Sequence, residues 1–325
     1  MPNSRSAGPV PPVAPIASVA MQRAILRWYD TNGRSLPFRG TRDPYAILVS
    51  EVMAQQTQIG RVSEAWSTFM TTFPTIQALA AASPADVLRA WRGLGYNRRA
   101  LNLWRAAQAV VTEHGGVMPG SVESLQLLPG IDPYTARAVA AIAFGARVGA
   151  VDTNVRRVLG RSLVSGADGL GQSELQRLAD ASVPRERPAD WTHALMDVGS
   201  TFCKPVRPNC EACPARAWCR FAAGRGALVA PPGPRAAARA AATRSAAFPS
   251  TTRWLRGRIL DRLRAAQGTD WHRLDAPIGD HDEGRVADSL RTLAVDGLVE
   301  LHPGSPLTAR LPLVDDHRSA LQRQR

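Results

Sequence analysis

One carboxylate interrupts an otherwise apolar stretch early in the chain. Glu51 follows Ile47 and Leu48 in ILVSEVMAQQTQ, so a helix would place these three side chains on one face. A carboxylate in apolar surroundings needs an internal partner, or it stays partly protonated and is able to give up a proton. Amide and hydroxyl side chains follow it at residues 55–58. Taken alone, Glu51 fits a structural carboxylate and a general acid equally well.

A second carboxylate stands where a helix should begin. Asp152 precedes the periodic segment TNVRRVLGR, and capping that helix is the commonest role of such an aspartate. The same position suits a carboxylate that faces a developing cation, because backbone donors and the helix dipole favour negative charge there. Glu51 and Asp152 would then form an unlike pair, in which one group protonates a leaving group and the other stabilises an oxocarbenium-like centre.

All of the cysteines fall in one short segment. Six, two and five residues separate them in turn, and they are Cys203, Cys210, Cys213 and Cys219. Four thiolates this close can hold zinc or an iron-sulfur cluster, and the spacing by itself favours zinc. Disulfides are less expected in a reducing compartment. Basic side chains in or beside these loops, namely Lys204, Arg207 and Arg216, could present positive charge to phosphate.

A tight turn lies between two helical patterns in LLPGIDPYTARAVAAIAF, residues 127–144. The segment resembles a helix-hairpin-helix, in which the backbone N–H groups of Gly130, Ile131 and Asp132 and the next helix start would form an anion cradle. Such a hairpin grips a phosphate without reading a base. An ordinary turn between helices, capped by Gly130, explains the isolated motif equally well.

The charge balance indicates a polyanionic partner. The 325 residues include 40 basic and 27 acidic side chains, a net charge of +13, and this favours nucleic acid or an acidic membrane surface. No run approaches the length of a membrane span. The Pro-rich residues 1–17 predict a flexible tail without a signal core, and therefore an intracellular protein. Lys204 is the one lysine, so amines for Schiff-base chemistry are scarce.

Helical periodicity from Val19 to Ala222 predicts an all-α body. Helix starts are indicated at Asp43-Pro44 and Ser83-Pro84. Helices are predicted at 59–73, 97–114, 121–128, 134–145, 153–163, 172–182 and 188–202. Residues 223–250 read as a linker, 316–325 as a tail, and 251–315 as a small winged-helix-like module with two helices and a hairpin near His302.

Six features occur in one order over residues 20–222: LPFRGTRDPYAILVSEVMAQQTQ, WRGLGYNRRALNLWRAA, LPGIDPYTARAV, VDTNVRRVLGR, ALMDVGSTFC and the cysteine spacing. Together they resemble the helix-hairpin-helix DNA glycosylases with a Gly/Pro-rich loop and catalytic Asp, and among them the adenine DNA glycosylases of the MutY type. The resemblance implies a two-lobed endonuclease III-like fold, with an iron-sulfur lobe at 18–43 plus 153–222 and a six-helix barrel lobe at 44–152. It also implies one 4Fe-4S cluster, which replaces the preference for zinc.

The activity implied is excision of adenine opposite 8-oxoguanine or guanine in double-stranded DNA, by a cytoplasmic, nucleoid-associated bacterial monomer that flips the base. Glu51 would protonate adenine and Asp152 would stabilise the sugar cation, while Tyr134 and Asn154 order the site.

Other residues that match the family motifs would contact the bases. Arg39 would line the pocket for the flipped base. Four residues would fill the gap in the duplex and contact the opposite base: Gln56, Thr57, Leu94 and Tyr96.

Some positions depart from the family pattern. Tyr134 stands where endonuclease III-like relatives carry a nucleophilic lysine, which implies hydrolysis without strand cleavage. Asp132 replaces the second hairpin glycine, where its type tolerates a left-handed backbone, and Asn97 stands where a second aromatic is common. The Nudix-like domain that reads 8-oxoguanine in many members has no counterpart in the short residues 251–315.

Two alternatives remain at this stage. One is an endonuclease III-like glycosylase and lyase acting on oxidised pyrimidines, which the missing lysine disfavours. The other is a noncatalytic iron-sulfur protein that binds DNA, which the joint presence of Glu51, Asp152, Tyr134 and Asn154 disfavours.

Overall fold

The computed structural model describes residues 17–164, 170–224, 248–266 and 268–313. The predicted tails at 1–17 and 316–325 lie outside these ranges apart from Ala17, as does most of the predicted linker. Helices dominate the described residues and strands occur only after residue 271, so the all-α prediction is confirmed.

The helices follow closely the bounds predicted from periodicity. The first are α1 (Val19–Asn32), α2 (Pro44–Ala54), α3 (Ile59–Thr72), α4 (Ile76–Ala81), α5 (Pro84–Ala90), α6 (Arg98–Glu113) and α7 (Val122–Gln126). The chain continues with α8 (Pro133–Phe144), α9 (Thr153–Val164), α10 (Gln172–Ala181), α11 (Pro188–Thr201), α12 (Arg220–Ala223), α13 (Thr252–Ala265) and α14 (Glu283–Val295). None of them, within the described ranges, is both long and apolar enough to cross a bilayer.

Both predicted helix starts are confirmed by their capping bonds. Asp43 accepts a hydrogen bond from the backbone N–H of Tyr45, and Pro44 occupies the first helical turn. The side chain of Ser83 accepts from the N–H of Asp86 in the same manner. These local bonds satisfy donors that a helix start leaves unpaired, which explains why the sequence signals were sufficient.

The described residues divide into two compact units. One contains residues 17–35 and 133–224, and the other contains 36–132 and 248–313. The first unit therefore includes residues 133–152, which the family resemblance places in the barrel lobe. The predicted lobe boundaries accordingly stay a prediction.

The core of the first unit is built from helices far apart in sequence. Met21 and Ile25 of α1 lie in one apolar cluster with Trp191 and Val198 of α11, all at most 1% exposed. An ion pair lies beside it: Asp197 is fully buried and accepts from the Arg34 Nε at 2.6 Å and from the Arg34 backbone N–H at 3.0 Å, while the Arg34 side chain is half-buried.

The second unit ends in a small module, defined here as residues 248–266 and 268–313. It contains α13, α14 and a three-stranded antiparallel sheet with the order β1 (His272–Arg273), β3 (Thr308–Arg310), β2 (Glu300–Leu301). Leu301 pairs with Ala309 across the hairpin, as predicted. The strand β1 between the two helices was not predicted, because two residues are too few to show a period.

Candidate active site

Glu51 lies at the edge of a buried helix. The six preceding residues of α2, Tyr45 to Ser50, are all buried, whereas Glu51 is half-buried. Val52 and Met53 are buried again immediately after it. The expected apolar surroundings are therefore present in the helix, and the Glu51 side chain is partly accessible from the surface.

The end of α2 is held by an arginine from another helix. Arg99, in the first turn of α6, donates to the carbonyl oxygens of Val52 at 2.7 Å and Met53 at 3.1 Å, and also to that of Gln55. Its second terminal nitrogen donates to the Thr57 hydroxyl at 3.0 Å. These are the carbonyls that a helix end leaves without intrahelical partners, so Arg99 acts as a long-range cap.

The same arginine holds the turn at residues 93–97, which have the sequence GLGYN. Arg99 donates to the carbonyl of Leu94 at 3.1 Å, and its guanidinium lies 5.6 Å from the ring centroid of Tyr96. Burial lowers the pKa of Arg99, and the nearby Tyr96 opposes that shift. One half-buried cation therefore joins the residues after α2 to this second turn. The motif WRGLGYNRRALNLWRAA contains Arg99, but its sequence does not indicate this role.

The two exposed tips of these turns have left-handed backbones. The φ angle is 56° at Gln56 and 45° at Tyr96, a region that side chains other than glycine rarely adopt. Tyr96 is 47% exposed, whereas Leu94 beside it is 5% exposed. Tyr96 and Gln56 are thus displayed at the surface, while the side chain of Leu94 supports the turn from inside.

Arg39 and the hairpin residues 130–132 belong to the second unit, as Glu51 and Tyr96 do. Arg39 ends a short 3-10 turn (Pro37–Arg39) and is half-buried. Gly130 has a φ of 75°, and a Cβ there would lie 2.5 Å from the Asn102 Cβ, so glycine is required twice over. Ile131 is buried and Asp132 is exposed. Asp132 does not adopt a left-handed φ, and the helix α8 starts directly after it.

In the other unit, Asp152 caps α9 as predicted. Its Oδ1 accepts from the backbone N–H of Val155 at 2.7 Å, and its Oδ2 accepts from the Asn154 side-chain amide at 2.9 Å. Two of the predicted site residues are thereby in contact. Tyr134, at the start of α8, is half-buried, with its hydroxyl 4.0 Å from the Met196 sulfur.

A further arginine supports this pair. Arg157 donates to the Asn154 side-chain oxygen at 2.8 Å, to the Gly199 carbonyl at 2.7 Å and to the backbone carbonyl of Cys203. A Cβ at Gly199 would lie only 2.5 Å from the Asn154 Cβ, so α11 and the start of α9 approach at a position that requires glycine. The roles of Arg157 and Gly199 were not predicted. Arg157 contacts Gly199 and Cys203, and Gly199 contacts Asn154, over more than 40 residues of sequence.

The four cysteines line one recess together with Arg161, Phe202, Arg216 and Phe221. None of them forms a disulfide. Burial raises the pKa of Cys213 to about 11, and the other cysteines add to that rise. Soft sulfur donors are the type that iron-sulfur clusters and zinc take. Within the described ranges, however, no group of three or more ligating side chains is arranged to hold a single metal ion such as zinc.

Positive charge surrounds this recess. Arg161 lies 3.6 Å from the Cys203 sulfur through Nη1, with its guanidinium 4.9 Å from the Phe221 ring centroid. Lys204, Arg207 and Arg216 are exposed, as a role toward phosphate requires.

Similarity to known proteins defines the class first. Residues 49–183 match the family model described as HhH-GPD superfamily base excision DNA repair protein. A thermostable thymine-DNA glycosylase superposes with a TM-score of 0.59 at 30% identity, covering 62% of this chain and 94% of that one. A trapped endonuclease III–DNA covalent intermediate superposes with a TM-score of 0.55 at 24% identity, covering 64% and 96%, which supports the fold. The architecture is therefore that of an endonuclease III-like DNA glycosylase.

The particular family follows from sequence. The adenine DNA glycosylase of Mycobacterium tuberculosis is 40% identical over 317 residues, which cover 91% of this chain and 99% of that relative. The human adenine DNA glycosylase is 45% identical over 213 residues, which cover 62% of this chain and 39% of the human protein. The chain belongs to the adenine DNA glycosylase family. The resemblance drawn from the motifs is confirmed, and the protein is a DNA repair enzyme.

Proposed function

We propose that the enzyme removes adenine paired with 8-oxoguanine or guanine from double-stranded DNA by hydrolysing the N-glycosidic bond. The observation that supports this best is the presence, in a member of this family, of two carboxylates held in different ways. Glu51 lies at the rim of an apolar helix, whereas Asp152 accepts two hydrogen bonds at a helix start. Contrasting surroundings of this kind suit an acid and a charge stabiliser.

Each carboxylate has one step in this scheme. The Glu51 carboxyl donates its proton to a ring nitrogen of the flipped adenine, and the bond from the sugar to the base then breaks with its electron pair on the base. The Asp152 carboxylate stabilises the resulting positive charge on the sugar. Water adds to the sugar carbon and gives its extra proton to the Glu51 carboxylate, which restores the acid. Asn154 orients Asp152 through its amide, and Tyr134 borders the same site.

The exposed turns that carry Gln56 and Tyr96, in the second unit, contact the duplex. A base that leaves the stack costs a few kcal/mol, and the gap must be filled by groups that stack or hydrogen-bond. Gln56 offers an amide and Tyr96 an aromatic ring, both on left-handed backbones. Thr57 and Leu94 support these two residues and contact the base opposite the adenine. Arg39 lines the pocket of the extruded adenine.

Two further groups bind phosphates and the cofactor. The backbone at Gly130, Ile131 and Asp132 binds one phosphate next to the start of α8. The cysteines would hold one 4Fe-4S cluster, which ties down a loop carrying Lys204, Arg207 and Arg216. The iron-sulfur lobe would comprise residues 18–43 and 153–222, and the barrel lobe 44–152. The protein would act as a monomer on nucleoid DNA.

Water as the nucleophile distinguishes this proposal from a lyase. An amine nucleophile forms a Schiff base that borohydride traps, but Tyr134 holds no amine. We expect no trapped protein–DNA adduct. A high yield of adduct would instead support a lyase acting on oxidised pyrimidines.

One assay tests the proposal. Duplexes with adenine opposite 8-oxoguanine, adenine opposite guanine, or an oxidised pyrimidine are incubated with the protein, and the products are compared before and after alkali. We expect strand breaks only after alkali and only at adenine. Breaks before alkali, release of the pyrimidine, or unchanged activity in Glu51→Gln would contradict it.

A further inference from the structure

The C-terminal module contacts the turn that displays Tyr96. Arg264 of α13 is the main link: its Nη2 donates to the Asn97 side-chain oxygen at 2.6 Å, and its Nε donates to the Leu88 carbonyl near the end of α5 at 2.8 Å. Its side chain is 5% exposed. A guanidinium so enclosed requires acceptors in fixed positions, so Arg264 fixes the turn relative to α5 and α13.

A second arginine of α13 reaches the aromatic ring itself. The Arg253 guanidinium lies 4.9 Å from the Tyr96 ring centroid, and the ring also neighbours Arg99. Arg253 is exposed and makes no ion pair with any acid in the described part of the chain. Cations over an aromatic ring restrain its orientation. Tyr96 is thus held by one arginine of the glycosylase helices and one of the module.

Weaker contacts extend the same interface. Arg89 donates to the Gly268 carbonyl at 2.7 Å, and Arg98 lies 3.6 Å from Asp296. The contact gives a physical reason for a polar residue where an aromatic is common in the family, because the short Asn97 side chain places its oxygen 2.6 Å from the Arg264 Nη2.

We propose that the C-terminal module positions the turn at residues 93–97, and that Arg264 and Arg253 are positioning residues for the insertion of Tyr96 into the duplex. This rests on the proposed function. The left-handed Tyr96 backbone is an unfavourable conformation that persists only where its surroundings hold it. The module supplies part of that support, and loss of the contact loosens the turn and impairs extrusion of the base.

The first measurement uses the free, full-length protein. Hydrogen exchange of the backbone amides at residues 93–99 is compared in the wild type, Arg264→Leu, Asn97→Ala and the double variant. We expect each single variant to exchange about tenfold faster there, and the double variant to exchange no faster than Arg264→Leu, because both single changes remove the Arg264–Asn97 hydrogen bond. Asn97→Ala breaks the contact without altering the module and serves if Arg264→Leu folds poorly. Arg262→Ala is the control, since Arg262 lies on the same helix but is exposed and donates to the Asp275 carbonyl at 3.0 Å.

The second measurement follows extrusion. A duplex carries 2-aminopurine in place of adenine opposite 8-oxoguanine, and its fluorescence rises as the base leaves the stack. We expect about a threefold smaller rise with Arg264→Leu, Asn97→Ala and Arg253→Ala, and the wild-type rise with Arg262→Ala. Unchanged exchange at 93–99 in every variant, or equal effects in the control, would overturn the inference. If the wild type fails to release adenine, the proposed function fails, while the exchange measurement still decides whether the module holds the turn.

Discussion

The Asp152 cap and the Tyr96 turn both carry residues of the candidate site, yet they are held in different ways. Asp152 is fixed by bonds to Val155 and Asn154, within three residues of itself, at an ordinary helix start. Tyr96 has a left-handed backbone and is held by Arg99 and Arg253, which come from two different helices. Placement of the carboxylate is therefore local, whereas display of the aromatic ring depends on the tertiary structure.

The largest effect is expected where charge is removed without loss of the cap. Asn caps helices as well as Asp, so Asp152→Asn should leave the free energy of unfolding within about 0.5 kcal/mol of the wild type. Single-turnover adenine release should fall by about 1,000-fold, because the neutral amide cannot balance a cationic sugar. Chemical denaturation and adenine release from one preparation measure the two quantities. A large loss of stability would show that the cap needs the charge.

In contrast to the Asp152 cap, loss of the arginine that holds the Tyr96 turn should lower the stability of the protein. Arg99→Leu leaves the carbonyls of Val52 and Leu94 without their donor, and we expect the free energy of unfolding to fall by about 3 kcal/mol. Arg98→Leu is the matched control, because its side chain is 71% exposed. Its removal should cost under about 1 kcal/mol. Equal losses in the two variants would contradict a capping role for Arg99.

A smaller loss is expected where α11 meets the start of α9. Gly199→Ala places a Cβ against Asn154, and we expect about 2 kcal/mol of destabilisation with a loss of adenine release. Gly257→Ala, in α13, is the control because it has open space around it. That change should stabilise the protein by about 0.5 kcal/mol, since alanine is the better helix former. Thermal melts of both variants report the difference.

The smallest effect separates the ring of Tyr96 from its hydroxyl. Tyr96→Phe keeps the ring near both arginines, so adenine release should stay within about threefold of the wild type. Tyr96→Ala removes the stacking surface and should reduce release by about tenfold at limiting enzyme. If Phe were as poor as Ala, the hydroxyl rather than the ring would be the functional group.

The contrast between local and long-range support also explains what the sequence could predict. The caps at Asp43, Ser83 and Asp152 were correctly predicted because each signal and its partner lie within a few residues. The family motifs likewise pointed correctly to an adenine DNA glycosylase. The roles of Arg99, Arg157 and Arg264 were not predicted, because their acceptors lie up to 176 residues away.

Two local details could not be predicted from the sequence. The apolar neighbours of Glu51 in sequence do not show that its side chain is only half-buried. The residue type of Asp132 is compatible with a left-handed backbone but does not require one. Gly130 alone supplies the positive φ of that hairpin, and the chain enters α8 directly after Asp132.

The most direct test of a shared role for Glu51 and Asp152 is a double-mutant cycle on single-turnover adenine release from an adenine–8-oxoguanine duplex. The rates of wild type, Glu51→Gln, Asp152→Asn and the double variant are measured at saturating protein, with duplex affinity as the control. Groups that act on one bond are not additive, so we predict that the double variant is scarcely slower than the slower single variant. Rates that fall by the product of the two single effects, or single variants with wild-type rates, would contradict it.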